Sequence, residues 1–284
     1  MRNAIEIRDL QKSYDGFNLN VSLTIPEGII TGLIGENGAG KTTLIKLILN
    51  IIKRDSGVIK IRGLDNIKEE DLAKEDIGVV LDNMFFPELL NCNDINEIMK
   101  GIYKNWDSEL FYKYLKDFDL NPNKAIKDNS KGMRKKIEIA TALAHKPKLL
   151  ILDEPTSGLD PVVRSEVLDI FLDFIQEEDH SILLSTHITS DLEHVADRII
   201  FMDDGRKILD CPRDEITDNY GVLKCDSDYF KQLDKDDILA YRKNKYNYEV
   251  LINDRGRALK KYEGCVVDKV SLDDLMVLML KGVR

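Results

Sequence analysis

The sequence predicts an α/β fold, and three stretches of the chain carry that prediction. An apolar run at residues 29–34 enters a glycine-rich loop, and apolar residues then recur at helical spacing, which indicates a strand, a loop and a helix in succession. Two further apolar runs, at residues 149–152 and 182–184, each end in polar side chains. Such runs are typical of buried strands in an α/β domain.

The glycine-rich loop fits the phosphate-binding pattern G-x-x-x-x-G-K-[ST]. Its backbone N–H groups can point at anionic oxygens, Lys41 adds a positive charge, and the Thr42 hydroxyl can ligate Mg²⁺. The following helix, whose apolar spacing continues to Ile52, adds the partial positive charge of its N-terminus. The residues predicted to bind a nucleotide here are Asn37, Gly38, Ala39, Gly40, Lys41, Thr42 and Thr43.

Alternating apolar residues at 5–7 and 19–25 predict two strands on either side of a turn at residues 12–16. This antiparallel hairpin leads into the nucleotide strand. Tyr14 lies on the turn, where an aromatic ring beside a nucleotide site can stack on a base. The alternative is that Tyr14 packs on the hairpin itself, and Phe17 is a second candidate for the stacking contact.

The middle of the chain changes from strands to helices. A turn with a short strand at residues 53–64 and a buried strand at residues 77–81 continue the α/β pattern as far as Asp82. Helical periodicity then prevails in segments that Asn, Asp and Pro separate, at residues 93–103, 108–118 and 131–145. We therefore predict a helical insertion at about residues 84–147.

Acidic residues and a histidine follow the two later apolar runs. Beside a phosphate loop, Asp153 can hold Mg²⁺ through water, and Glu154 can orient or deprotonate the attacking water. His187 stands at the sheet edge where ligands of open parallel sheets bind. The alternatives are structural: a strand that simply ends in acids, and a histidine that makes an ordinary hydrogen bond.

The residue pattern after about Asp210 predicts a small α+β domain. Strands are expected at residues 222–226, 238–241, 246–252 and 265–270, and helices near residues 229–233, 255–262 and 272–280. No constellation of residues there suggests chemistry. Its interleaved Lys, Tyr and Asn residues form either a solvated face or a contact surface.

Composition argues against several other classes of protein. The 41 basic and 51 acidic side chains give a formal net charge of −10, which disfavours a nonspecific nucleic-acid binder. The four cysteines form no C-x-x-C pair, so neither a zinc site nor a disulfide framework is indicated, and a reducing cytosol fits. Because no apolar run is long enough to span a bilayer and charges interrupt the start, we expect a soluble chain.

Four further features give the sequence a family resemblance. Asn129-Ser130-Lys131-Gly132-Met133 resembles, in a divergent S-K-G-M form, the signature loop of the nucleotide-binding subunits of ABC transporters, and it precedes the acidic strand at the family distance. Ser157-Gly158-Leu159-Asp160 is similar to the D-loop of that family, Ser185-Thr186-His187 to its switch histidine, and Tyr14 to its adenine-stacking aromatic. The ordered set is far more specific than any single motif.

The resemblance covers about residues 4–210 and implies the fold of that part. It implies an ABC-type ATPase domain at residues 1–210, with a mixed sheet, an antiparallel hairpin subdomain and the helical insertion. Residues 211–284 are then the α+β C-terminal accessory domain.

The resemblance also implies ATP and Mg²⁺ as cofactors, and a mechanism that needs two copies. In such proteins two domains face head to tail, and each ATP lies between one phosphate loop and the partner's signature loop. Glu154 would polarise water, His187 would contact the γ-phosphate and Asp160 would cross to the other subunit. The signature residues expected to reach the partner's ATP are Ser130, Lys131, Gly132 and Met133.

Three positions, in two motifs, depart from the family pattern. Asp82 stands where the family usually has a glutamine that touches Mg²⁺, so we hypothesise that its carboxylate lies near the metal and couples it to the helical insertion. Asn129 and Lys131 replace the usual leucine and glycine of the signature, and Lys131 either assists closure or is simply exposed. The predicted metal-binding residues are Thr42, Asp82 and Asp153.

The loop at residues 84–90 is unusually apolar. At the equivalent place, family members receive a short helix of the membrane subunit, so we predict a groove that docks a permease. The alternative is that Phe85 and Phe86 pack the helical insertion.

The S-K-G-M signature and the ending at residues 270–275 resemble the bacterial ABC-2-like exporters. The resemblance implies an ATPase subunit at the cytoplasmic face of the cell membrane, held there by an integral-membrane permease and paired with an identical or different second ATPase. Its cargo would be peptides, antimicrobials or envelope molecules, and no nucleic-acid partner is expected. The rival class is a soluble ABC ATPase in translation, repair, resistance or regulation, although the chain has neither heptads nor a second phosphate loop.

Overall fold

The computed structural model describes residues 2–82 and 86–283, and the strands within these ranges lie in three sheets. In chain order the strands are β1 (Asn3–Tyr14), β2 (Phe17–Pro26), β3 (Ile30–Ile34), β4 (Ser56–Ile61), β5 (Leu64–Asp65), β6 (Ile77–Val80), β7 (Leu149–Asp153), β8 (Ser181–Ser185), β9 (Arg198–Asp203), β10 (Arg206–Pro212), β11 (Gly221–Cys225), β12 (Ala240–Lys243), β13 (Tyr248–Ile252) and β14 (Val266–Lys269).

Many of the helices begin at a polar residue whose side chain accepts the first free N–H groups, as Asn91, Asp107 and Ser271 do. The helices are α1 (Lys41–Ile48), α2 (Glu70–Glu75), α3 (Cys92–Ile102), α4 (Ser108–Asp117), α5 (Lys131–Leu143), α6 (Pro161–Phe174), α7 (Thr189–Val195), α8 (Arg213–Asn219), α9 (Ser227–Phe230), α10 (Arg255–Lys261) and α11 (Leu272–Lys281).

The central sheet has the strand order β10-β9-β3-β8-β7-β6. Its strands from β9 to β6 pair in parallel, whereas β10 is antiparallel to β9. Every residue of β3, β7 and β8 is buried, as expected for largely apolar strands inside a parallel sheet. The predicted α/β fold with a mixed sheet is confirmed.

The predicted hairpin belongs to a second sheet, of order β2-β1-β4-β5. β1 and β2 pair antiparallel up to a tight turn, where Tyr14 stands opposite Phe17. The inner faces of the hairpin, α1 and one face of the central sheet share an apolar cluster that includes Ile7, Leu44 and Ile151. This cluster fixes the hairpin turn beside the phosphate loop.

The other face of the central sheet is covered by α5, α6 and α7, through buried residues such as Ile139, Phe171 and Leu192. The helical insertion, formed by α3, α4 and α5, has a further cluster around Phe111. No helix within the described ranges has the length and apolar character needed to cross a membrane.

The C-terminal region contains an antiparallel sheet of order β12-β13-β11-β14 and, near the predicted places, helices α9, α10 and α11. The division suggested at residue 210 falls inside β10. Residues beyond it, among them Val222, Leu251 and Leu275, belong to the same apolar cluster as the helices under the central sheet. The C-terminal region therefore shares a core with the ATPase-like part.

The helix after the phosphate loop ends earlier than its apolar spacing predicts. α1 ends at Ile48, and Ile51, which is 54% exposed, lies beyond it. Asn50 adopts a left-handed conformation with φ of 53°, and the N–H groups of Asn50 and Ile51 donate to the carbonyls of Leu47 and Lys46 at 3.1 and 2.9 Å. This arrangement is a Schellman motif, which terminates the helix.

Candidate functional site

Neighbouring strands of the central sheet deliver the predicted site residues to one edge. β3 runs into the phosphate loop, β8 ends two residues before His187, β7 ends at Asp153, and β6 ends two residues before Asp82. In the sheet these strands lie in the order β3-β8-β7-β6. Because all four are parallel, residues far apart in sequence meet where such sheets bind their ligands.

A cleft of about 460 Å³ opens at this edge, a volume in the range of small-molecule sites. The phosphate loop and Glu154 face each other across it. Its lining residues are Phe17, Glu36, Asn37, Gly38, Gly40, Lys41, Thr42, Thr43, Asp82 and Glu154.

Lys41 is buried and braces the phosphate loop from within. Its Nζ donates to the carbonyl oxygens of Gly35 at 2.7 Å and Glu36 at 3.2 Å. Burial lowers the pKa of Lys41, while the nearby carboxylates of Glu154 and Asp153 oppose that shift. The ammonium group therefore lies where phosphate oxygens can replace the two carbonyl oxygens as its hydrogen-bond acceptors.

Gly40 forms the start of α1 in a conformation that other residues avoid. Its φ is 102°, and a Cβ atom at this position would lie 2.9 Å from Cζ of Phe17. The Phe17 ring thus closes one side of the loop, which makes it a wall of the cleft.

Thr42 and Asp153 form a polar pair suited to a magnesium ion. The Thr42 hydroxyl donates to Asp153 Oδ2 at 2.8 Å. Asp153 is 1% exposed, and its Oδ1 has no hydrogen-bond partner among the described residues. A buried carboxylate oxygen normally finds a partner, and oxygen ligands are those that Mg²⁺ prefers, so these residues fit the metal. Asp82 lines the same cleft and is exposed.

The Glu154 carboxylate is held by the segment that carries the histidine. Its Oε1 accepts the backbone N–H of His187 at 3.1 Å, and its Oε2 accepts from His187 Nδ1 at 2.8 Å and from the Thr186 hydroxyl at 3.3 Å. Its own backbone N–H donates to Ser185 at 2.8 Å, and its φ of 51° turns the chain sharply after β7. Sequence reasoning gave Thr186 no role, although a polar residue before a site histidine was a signal for one.

The signature loop and the D-loop lie together on another surface. Ser130 caps α5 by accepting the N–H of Met133 at 3.2 Å, and Asp160 caps α6 by accepting the N–H groups of Val162 and Val163 at 3.1 Å. All five are partly or fully exposed. The N-termini of α5 and α6 are therefore both exposed on this surface.

Two glycines bring these helix starts together. A Cβ atom at Gly132 would lie 3.0 Å from Val163, and one at Gly158 would lie 2.4 Å from Nζ of Lys131. The exposed Lys131 thus folds over the D-loop. Among the described residues of this face, none lines the phosphate cleft.

Tyr14 lies at the tip of the hairpin and is 47% exposed, with Nζ of Lys12 5.3 Å from the centre of its ring. The cleft is lined instead by its cross-strand neighbour Phe17. Base stacking by Tyr14 stays a prediction, and the structure adds Phe17 to the cleft.

The apolar loop at residues 84–90 is only partly described. Phe85, one of the two phenylalanines expected to dock a partner, lies outside the described residues. Phe86 is half-buried against the apolar cluster of the helical insertion, and Leu89 is 76% exposed. Phe86 thus follows the packing alternative, while Leu89 offers an apolar side chain on the surface.

Comparison with known proteins points to one family. The family model described as "ABC transporter" matches residues 19–157. The ABC transporter ATP-binding protein YtrB of Bacillus subtilis is 34% identical over 218 residues, which cover 76% of this chain and 74% of that protein. The lantibiotic transport ATP-binding protein SrtF of Streptococcus pyogenes is 36% identical over 212 residues, covering 72% and 90%.

Solved structures agree with these relatives. The structure of cbiO1 from Clostridium perfringens, described as part of the ABC transporter complex cbiONQ, has a TM-score of 0.64 and 28% sequence identity. The match covers 76% of this chain and 91% of that one.

Proposed function

The chain belongs to the ABC transporter family and binds and hydrolyses ATP, and on that premise we propose that it powers a membrane exporter by ATP-driven closure of a dimer. The observation that carries the proposal is the Glu154 carboxylate, fixed by His187 and Thr186 opposite the phosphate loop. A loop that holds phosphates and a carboxylate that faces them are the two parts that hydrolysis of a nucleotide requires.

The phosphate loop binds the nucleotide in this proposal. Lys41 and the N–H groups at the start of α1 hold the phosphate oxygens, and Phe17 or Tyr14 contacts the base. Thr42 and Asp153, with Asp82 nearby, hold Mg²⁺, which when bound neutralises charge on the phosphates.

Glu154 orients the attacking water and accepts its proton. A carboxylate has about four lone-pair sites, so Glu154 can accept from water while the switch segment holds both of its oxygens. His187, at the same edge, contacts the γ-phosphate. Thr186 keeps the carboxylate turned toward the cleft.

The second part of the site comes from another ATPase subunit, identical to this chain or different. The signature face is exposed and presents donors at the start of α5, including the Ser130 hydroxyl, which can still donate its own hydrogen. Asp160 crosses to the facing subunit. ATP stabilises the closed pair until hydrolysis removes its γ-phosphate contacts.

An integral-membrane permease is the proposed partner, and it places the chain at the cytoplasmic face of the membrane. The name of SrtF, a lantibiotic transport protein, supports export and a peptide, antimicrobial or envelope molecule as cargo. A soluble ABC ATPase without a permease is less well supported, since the relatives described above carry transporter names. Copurification with membranes distinguishes the two.

The proposal is tested by ATP turnover and light scattering for wild type and Glu154→Gln, each with and without Mg-ATP. General-base catalysis contributes about 100-fold or more, so the variant should turn over ATP at least about 100-fold more slowly. It should also form a dimer that depends on ATP, because the closed state no longer decays. Rapid turnover by Glu154→Gln would show that Glu154 is not the base.

A further inference from the structure

Helix α11, in the C-terminal region, packs directly on α7, the helix that follows the switch histidine. Leu272 and Leu275 of α11 lie in one apolar cluster with Leu192 and Val195 of α7. All four side chains are buried. The C-terminal region thus packs against the helix that begins two residues after His187.

Polar contacts fix the start of α11 to α7. The hydroxyl of Thr189, only two residues after His187 and 5% exposed, donates to Asp273 Oδ1. The backbone N–H of Leu272 donates to Glu193 Oε1 at 2.8 Å. Each contact joins residues about 80 positions apart, so they set the position of α7 relative to the C-terminal region.

Met276 extends this contact to the nucleotide site. It lies one turn after Leu272 on α11 and, with Gly35, Glu36, Asn37 and His187, lines a second cleft of about 370 Å³. One side chain of α11 therefore flanks both the phosphate loop and the switch histidine.

The opposite side of α7 is tied to the catalytic loop. Asp191, which is 1% exposed, accepts a hydrogen bond from Thr156, two residues after Glu154, and pairs with Arg164 of α6. α7 thus lies between the loop of the catalytic carboxylate and α11. A displacement of α7 must alter one of these two sets of contacts.

We propose that α11 positions the switch segment, so that the C-terminal region sets the rate of ATP hydrolysis. Asp273 and Met276 are positioning residues: Asp273 acts through Thr189, and Met276 lines the same cleft as His187. This inference rests on the proposed role of His187 in hydrolysis, and it gives the C-terminal region a task that its sequence does not suggest.

The test compares kcat and KM for ATP in Asp273→Ala, Asp273→Asn and wild type. One lost hydrogen bond is equivalent to about a threefold to tenfold change, so Asp273→Ala should lower kcat by that factor while KM changes less than about twofold. Asp273→Asn should retain the wild-type kcat, because its amide oxygen can accept the same hydrogen bond. Combining Thr189→Val with Asp273→Ala should cause no further loss.

Asp274→Ala is the matched control. Asp274 belongs to the capping box at the start of α11 but, among the described residues, makes no hydrogen bond or ion pair with α7. This variant should lower the melting temperature with little change in kcat. If Asp273→Ala leaves kcat unchanged, or Asp274→Ala lowers it equally, the positioning role is wrong.

A second measurement does not depend on turnover. Amide hydrogen exchange across residues 186–195 of the nucleotide-free protein should be faster in Asp273→Ala than in wild type and in Asp273→Asn. Unchanged exchange would overturn the proposal even in a chain that needs its permease for turnover. Failure of wild type to bind Mg-ATP would instead contradict the proposed function. The exchange result would still show whether Asp273 holds α7 in place.

Discussion

The two halves of the nucleotide site differ in how far one chain completes them. In the phosphate-loop half, Lys41 is 6% and Asp153 1% exposed, and both hydrogen-bond within the chain. In the signature half, Ser130 and Asp160 are exposed and cap their own helices. Folding of one chain organises the first half. The second half is an exposed surface that completes a site only when another subunit faces it.

Electrostatics explains why the halves are built differently. A buried charge is costly unless it is paired, so Lys41 and Asp153 must be positioned by the fold itself. Exposed caps cost little in water and gain strength only when a second surface excludes it. Substitutions in the first half should therefore alter ATP binding by a single chain, and those in the second should alter only closure.

The largest effect on binding is expected for Lys41→Ala. Removing one partner of a desolvated charge pair costs about 2–5 kcal/mol, so the Kd for Mg-ATP should rise about 100-fold in calorimetric titration. The control is Lys46→Ala, which removes an exposed lysine from the same helix. Equal affinity of Lys41→Ala and wild type would show that the first half is not organised around this cation.

A smaller effect, on closure alone, is expected for Ser130→Asp in the Glu154→Gln background. Aspartate retains the helix cap but places a negative charge where a facing γ-phosphate would dock. ATP-dependent dimerisation should weaken about 30-fold, while ATP binding by the monomer is unchanged. Ser130→Asn, which keeps a neutral cap, is the control. Weaker ATP binding by monomeric Ser130→Asp would contradict the distinction between the two halves.

Asp82→Ala should have a modest effect within the first half. Asp82 is exposed, and a charge pair near the surface is worth about 1 kcal/mol, so the affinity for Mg²⁺ in the presence of ATP should fall about fivefold. Asp71→Ala, an exposed acid on α2, serves as the control. Unchanged Mg²⁺ affinity in Asp82→Ala would remove this residue from the metal site.

The smallest change in the isolated chain is expected for Leu89→Ser. This exposed side chain should affect stability by less than about 0.5 kcal/mol but reduce copurification with the permease. Phe86→Ser, which removes packing from the helical insertion, should lower the free energy of unfolding by about 2 kcal/mol. Undiminished copurification of Leu89→Ser would place the docking surface elsewhere.

The sequence predicted those features that depend on local pattern. The phosphate loop, Asp153, Glu154 and His187 follow buried strands directly, and the apolar runs indicated those strands. The early end of α1 was missed because Asn50 closes the helix through its own backbone conformation, which apolar spacing does not report.

Contacts between distant segments could not be predicted in the same way. Thr189 and Asp273 are 84 positions apart, and nothing near either residue indicates the other. Phe17 lines the cleft because its ring lies against Gly40, whereas its cross-strand partner Tyr14 does not line the cleft. Such placements come from packing between layers, which a single sequence does not encode locally.

The apolar cluster that joins the central sheet to α11 makes the chain one cooperative unit. Separating the C-terminal region would expose Leu272, Leu275 and Leu278, at a cost of about 1.5–3 kcal/mol for each. Thermal unfolding should therefore show a single transition, although the sequence predicts two domains. Damage to the last helix would therefore also lower the stability of the part of the chain that holds the phosphate loop.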